Sequence, residues 1–166
     1  AELTLATETL AHETDGLLAT VGALHVRPGV VNAVPGEVSL TLEIRALNDA
    51  LRECAGAAIT HTARDIATRR GLSLDIARTY AQGATTCSSK SIEHLCKAVA
   101  TGSRSEVRRL VSGATHDTSA MAELCSVGMV FTACRDGISH HPSELVSEKA
   151  MTAGIQTLEQ YLIQLQ

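Results

Sequence analysis

Between Glu37 and Arg45 the chain alternates. Val38, Leu40, Leu42 and Ile44 point one way, and Ser39, Thr41, Glu43 and Arg45 point the other. A period of two is that of a strand with one buried face. Residues 17–27 (LLATVGALHVR) form the preceding strand, which Pro28-Gly29 breaks. Residues 2–13 read as a short helix. A longer helix follows the second strand. Asn48 or Asp49 caps it, Leu51, Ala55, Ala58, Ile59, Thr62 and Ile66 run down one face, and Arg69-Arg70-Gly71 ends it. Leu72, Leu74 and Ile76 alternate with Ser73, Asp75 and Ala77 and predict a further strand.

The polar, small-residue stretch from Gln82 to Ser89 reads as a linker. Beyond it, Ile92, Leu95, Cys96 and Val99 mark a helix, 106–111 a strand, 117–125 a short helix, and 128–134 an apolar strand suited to burial on both faces. A loop over 135–146 leads to a last helix opened by Ser147, with Met151, Ile155, Leu158, Leu162 and Leu165 inward. The expected fold is therefore α/β in two parts. Residues 1–82 resemble an incomplete ferredoxin-like (split βαβ) unit without its first strand. Residues 83–166 resemble the C-terminal part of a doubly wound α/β domain. A sheet without one of its strands leaves an edge for another segment or chain to cover.

Composition narrows the chemistry. The 166 residues are 45% hydrophobic but only 2% aromatic, so Ala, Leu, Val and Ile must build the core and no aromatic platform for single-stranded nucleic acid exists. The net charge of −4 argues against a strongly electrostatic nucleic-acid binder. No apolar run approaches the roughly 18–20 residues of a membrane span. Five cysteines without a CxxC pair favour a reducing cytoplasm, and most of them read as small core residues.

The densest polar clusters are His116-Asp117, after a Ser112-Gly113 turn, and Ser139-His140-His141-Pro142-Ser143-Glu144, after the strand at 128–134. Catalytic groups of open α/β sheets gather at the carboxyl ends of strands, so the two loops are expected to converge there. Imidazoles in such a place serve as metal ligands or as acids and bases. There is no HExxH and no spaced Cys/His set to complete a metal site. A triad of Ser112, His116 and Asp117 lacks a nucleophile elbow. Arg45 could clamp a carboxylate or pair with Glu43 or Glu37, and Asn32 offers a donor and an acceptor or simply forms a turn. His12, His25, His61 and His94 sit on ordinary elements and read as structural or exposed.

Three segments together resemble the metal-dependent amidohydrolases of the M20 peptidase superfamily, in the branch of allantoate amidohydrolase and N-carbamoyl-L-amino-acid hydrolase. Residues 26–36 (VRPGVVNAVPG), running into Leu42-Glu43-Ile44-Arg45, resemble the family's "RPGxxNVIPG…LDIR" stretch. Residues 112–118 (SGATHDT) resemble "SGAGHDA", and 137–144 (GISHHPSE) resemble "GISHxPxE". Thr115, Thr118 and Ala33 depart from these patterns, standing for a glycine, an alanine and a valine. The resemblance implies that His140 is a metal ligand, that His116 is an active-site histidine beside the substrate, and that Asn32 and Arg45 grip its ureido and carboxylate groups. His141 falls at a variable position. Residues 1–82 become a lid and dimerisation domain, 83–166 the closing segment of a catalytic domain, and the cofactor a zinc pair, with manganese as the alternative.

The family's HxD motif, bridging Asp, Glu-Glu pair and second metal-binding His are not among these residues, nor is the lid motif His-Ala-Gly-Thr-Thr-Pro-Met. The resemblance therefore implies a chain inactive alone, which works with an N-terminal catalytic half on a small ureido acid, most simply allantoate, and as a homodimer through the lid. A fragment, a proteolytic product and one chain of a split enzyme all fit, and a non-catalytic, self-associating lid module is the rival.

Overall fold

The computed structural model describes all residues, Ala1–Gln166, and has two compact units, Ala1–Ala84 and Thr85–Gln166. It is a mixed α/β structure with one two-stranded sheet and five helices.

In the first unit, α1 (Glu2–Glu13) is followed by β1 (Leu17–Arg27) and β2 (Glu37–Ala46), an antiparallel hairpin running from Leu17↔Ala46 to Arg27↔Glu37. The register slips between Val21 and Ala23, where the Ala23 N–H donates to the Thr41 hydroxyl at 3.0 Å. The alternation expected for β2 holds at Leu40, Leu42 and Ile44, which are half-buried while Ser39, Thr41, Glu43 and Arg45 are exposed, but it does not reach Val38, which is 52% exposed near the hairpin tip. Helix α2 (Asp49–Arg70) covers the hairpin at Ile44, and its core stripe is Ala55, Ile59, Ala63 and Ala67. The Asn48 side chain caps it by accepting from the Leu51 N–H at 2.9 Å. Gly71, at φ 65°, closes it in the left-handed conformation, with the Leu72 N–H reaching back to the Ala67 carbonyl at 2.9 Å. Ala58, expected on the inner face, is exposed.

The strand expected at 72–77 is not formed. Leu72, Leu74 and Ile76 do fall on one side, but they lie along Arg64, Ala67 and Thr68 of α2 rather than beside a strand. The chain then returns along that helix, tied by Arg78 to Glu53 at 3.0 Å and by the Ala84 N–H to Asp49 at 3.0 Å. With no neighbouring backbone to bond, a period of two gives a facing row and not a sheet.

The second unit holds α3 (Ser89–Ala98), continued by a π-helical turn at Val99–Ser103, then α4 (Asp117–Met121) and α5 (Glu148–Ile163). Its core is built from Ser91, Leu95 and Ala98 of α3, Val127, and Thr157 of α5. Two expected strands are absent here as well. Residues 106–111 have no ladder, with Leu110 and Val111 about 70% exposed, and 128–134 makes one isolated bridge, Cys134↔Val146. Burial of 128–134 on both faces fails too, since Phe131 is 48% exposed.

The last helix corrects a further expectation. Met151, Ile155, Leu158, Leu162 and Leu165 are all half-exposed or more; the packed side of α5 carries Gly154 and Thr157 instead. These apolar residues line one side of α5, and nothing in this unit covers them. The cysteines also depart from the core reading: all five are free, Cys54 and Cys125 are exposed, and Cys87, Cys96 and Cys134 are half-buried. No helix is long and apolar enough to cross a membrane.

Candidate active site

The first motif makes the tip of the hairpin. Gly36 N–H donates to the Arg27 carbonyl at 2.9 Å, closing an exposed loop in which Asn32 occupies a turn. Arg45 lies towards the other end of β2, opposite Leu18. Its guanidinium holds the Glu43 carboxylate in a forked contact at 2.9 and 3.0 Å, the surface pairing open to it from sequence. Both partners are half-exposed, so the pair is weak enough to exchange for another carboxylate.

The second motif closes on itself around a hydroxyl. Ser112 Oγ accepts the Ala114 N–H at 3.1 Å and lies 2.6 Å from His116 Nε2. The backbone at His116 is extended and starts α4, with the His116 carbonyl accepting the Ser119 N–H at 2.9 Å. The imidazole is half-buried and meets Phe131 edge-on, at 5.9 Å between ring centres. The 116 segment thus packs on the segment that leads into the third motif. Asp117 is not the third member of a relay: the side-chain contacts of His116 are Ser112 and Phe131.

The third motif is a closed loop. Its neck is the Cys134↔Val146 bridge and the Arg135 N–H bond to the Leu145 carbonyl at 2.8 Å. Inside it, Asp136 (φ 56°), Gly137 (φ 68°) and His140 (φ 58°) all adopt the left-handed conformation. For a histidine that backbone is strained. Glu144 holds it: its carboxylate accepts the His140 N–H at 2.8 Å, while the Glu144 N–H donates to the His141 carbonyl at 2.9 Å. The His140 side chain is exposed, and its ring makes no hydrogen bond within the chain. His141 is occupied locally, its Nδ1 accepting the Ser143 N–H at 3.2 Å.

Asn32 and Arg45 therefore belong to the first unit, and His116 and His140 to the second, where no hydrogen bond or ring contact joins the two histidines. Sequence reasoning missed Glu144 as the residue that fixes His140; the signal was an acid four positions after a histidine in a proline-containing loop. It also placed Ser112 only in a triad, not as a lone partner of His116. No three His, Cys, Asp or Glu side chains gather anywhere in the chain, so its own residues do not make a metal centre, and His140 offers one donor.

A family model described as peptidase family M20/M25/M40 matches residues 7–164. A probable allantoate deiminase of Oryza sativa subsp. japonica is 34% identical over 143 residues, covering 80% of this chain and 29% of the rice protein. An N-carbamoyl-L-amino acid amidohydrolase of Geobacillus stearothermophilus is 32% identical over 151 residues, covering 89% of the chain and 36% of that protein. The crystal structure of AtUAH in complex with (S)-hydroxyglycine superposes with a TM-score of 0.87 at 30% identity, over 99% of this chain and 39% of that one. The chain spans about a third of the length of the curated relatives it matches.

Proposed function

Because the chain belongs to the peptidase family M20/M25/M40, we propose that it is the lid and the closing catalytic segment of an amidohydrolase that cleaves a linear amide C–N bond in a ureido acid. Allantoate is the preferred substrate in this reading and an N-carbamoyl-L-amino acid the second. Both choices draw on the substrates in the names of the rice and Geobacillus relatives.

The observation that carries the reading is the loop at 135–145. A histidine held in a strained backbone by a carboxylate, with its ring unengaged, is a poor way to build a surface loop and a good way to aim one donor. We assign His140 the role of a single ligand to a zinc or manganese pair, the other ligands coming from outside these 166 residues. His116 stands beside the substrate. Arg45 exchanges Glu43 for the substrate carboxylate, a bidentate pairing that selects acids over neutral ureas. Asn32, exposed in the hairpin tip, has the donor and acceptor that a ureido group needs. In this reading the lid also pairs two copies of the enzyme.

The test compares the chain alone with the chain joined to an N-terminal catalytic half, each given Zn²⁺ or Mn²⁺. Ammonia release from allantoate or an N-carbamoyl amino acid is expected only from the joined protein. The reading is lost if that metal-loaded protein hydrolyses neither.

A second reading, a non-catalytic self-associating module, is favoured by the hairpin. β1 and β2 bond only to each other, so each keeps an open edge. A monomer at micromolar concentration in sedimentation would count against it.

A further inference from the structure

We propose that Ser112 is a positioning residue that fixes the neutral His116 ring in one tautomer, making its Nδ1–H a hydrogen-bond donor to a substrate oxygen. The argument starts from the single proton of the serine hydroxyl. One lone pair of Oγ is taken by the Ala114 N–H at 3.1 Å. The hydroxyl proton then has two acceptors in reach, His116 Nε2 at 2.6 Å and the Ala114 carbonyl at 3.5 Å. In the reverse arrangement, with Nε2–H donating to the second Oγ lone pair, the hydroxyl proton would be left with only the Ala114 carbonyl at 3.5 Å, the limit of a hydrogen bond, so the arrangement that satisfies both groups has the hydroxyl donating to the imidazole. A neutral imidazole that accepts at Nε2 carries its own hydrogen at Nδ1.

The orientation is fixed as well as the tautomer. Rotating the ring by half a turn would swap Nε2 for a carbon and break the bond to Ser112. The Phe131 ring, at 69° to the imidazole and 5.9 Å between centres, packs against it. Nδ1 makes no hydrogen bond within the chain, so its N–H is available. Such a ring cannot serve as a base through Nδ1, because that nitrogen has no lone pair to offer. What it can do is donate to an acceptor oxygen, either of a substrate carbonyl as negative charge builds on it or of a substrate carboxylate. The tautomer rests on the Ser112 hydroxyl being the donor of that contact; the substrate oxygen rests on the amidohydrolase reading.

The ring nitrogens report the tautomer directly. In the chain labelled with ¹⁵N-histidine, at a pH about two units above the ordinary imidazole pKa of about 6.5, the His116 signals are identified by their loss in His116→Gln. A pyrrole-type Nδ1 and a pyridine-type Nε2 are expected. Free imidazole side chains prefer the opposite form, so Ser112→Ala should swap the two and Ser112→Thr should restore the native pattern. The signals of the other six histidines show whether each variant keeps its fold. Should the alanine variant lose it, Ser112→Cys, with a weaker donor of similar shape, should give a mixture of tautomers. A pyrrole-type Nε2 in the native chain overturns the proposal, and so does a pattern that neither variant changes. In the joined enzyme, Ser112→Ala, which removes one hydrogen bond, should lower turnover roughly tenfold, with Ser112→Thr recovering it. If the joined enzyme is inactive while Nδ1 still carries the proton, the amidohydrolase reading fails and the role of Ser112 stands.

Discussion

At His140 the backbone and the side chain pull in different directions. A left-handed conformation costs a non-glycine residue about 1–2 kcal/mol, and glycine would occupy it without strain. His140→Gly is therefore expected to leave the melting temperature of the chain unchanged or raised by a few degrees. Removing the clasp should do the opposite. Glu144→Ala frees the His140 N–H and should lower stability by about 1 kcal/mol, whereas Glu144→Gln keeps an acceptor and should cost less. Thermal melts of the three variants check this. A His140→Gly variant less stable than the native chain would mean that the ring contributes packing and was not placed for a ligand. The candidate residues of this proposed site come from short motifs, which record residue types and their spacing. The bond from Glu144 to His140 and that from Ser112 to His116 were not legible in the sequence, since both join residues four apart through turns whose geometry no periodicity encodes.

Elements were legible where the signal was local. The cap at Asn48, the stop at Gly71 and the alternation of β2 are each decided within a few residues. The strands at 72–77, 106–111 and 128–134 failed because a strand is a relation between two segments, and alternation or apolarity describes only one of them. Close approach is likewise invisible in sequence. A Cβ on Gly102 would lie 2.6 Å from the Gln156 carbonyl oxygen, where the π-helical turn meets α5. Gly102→Ala should force the two apart and cost about 1–3 kcal/mol, seen as a lower denaturation midpoint. Gly71→Ala meets no neighbour and should cost only the left-handed backbone, about 1 kcal/mol.

Helix α2 is also held at both ends by charge. Arg69, then Arg70, hold the Glu2 carboxyl below its ordinary range. Arg52 and the Ala84 N–H do so for Asp49, and Arg78, then Arg52, for Glu53. A carboxylate whose pKa is lower in the folded than in the unfolded state binds its proton more readily once unfolded. Its stabilisation is complete above the unfolded value and is lost as pH falls through the folded one. The melting temperature should therefore hold above about pH 5 and fall below about pH 4. Glu2→Gln should make that acid slope shallower and change little at neutral pH, because these exposed pairs are screened by solvent and salt. A slope identical in the variant would remove Glu2 from the account.

At the scale of the whole molecule, the telling feature is apolar surface that the chain does not cover. Ile155 is 67% exposed and Leu158 50%, and they belong to a stripe continued by Met151, Leu162 and Leu165. Side chains that are exposed in the chain contribute little to its own stability, so Ile155→Glu and Leu158→Glu should each leave its unfolding free energy within about 0.5 kcal/mol of the native value. They should also make the isolated chain more soluble, because a contiguous apolar patch drives association. In the proposed joined protein the same stripe is the surface against which the rest of a doubly wound domain can pack, and there a buried glutamate left unpaired costs several kcal/mol. The pair of variants should thus be silent or helpful in the short chain and disruptive in the long one, read as melting temperature and soluble yield of both. If they are silent in both, the stripe is an ordinary exposed face. If they already destabilise the short chain, α5 packs in solution on the side where its leucines lie, and the small-residue contacts at Gly154 and Thr157 are not what hold it.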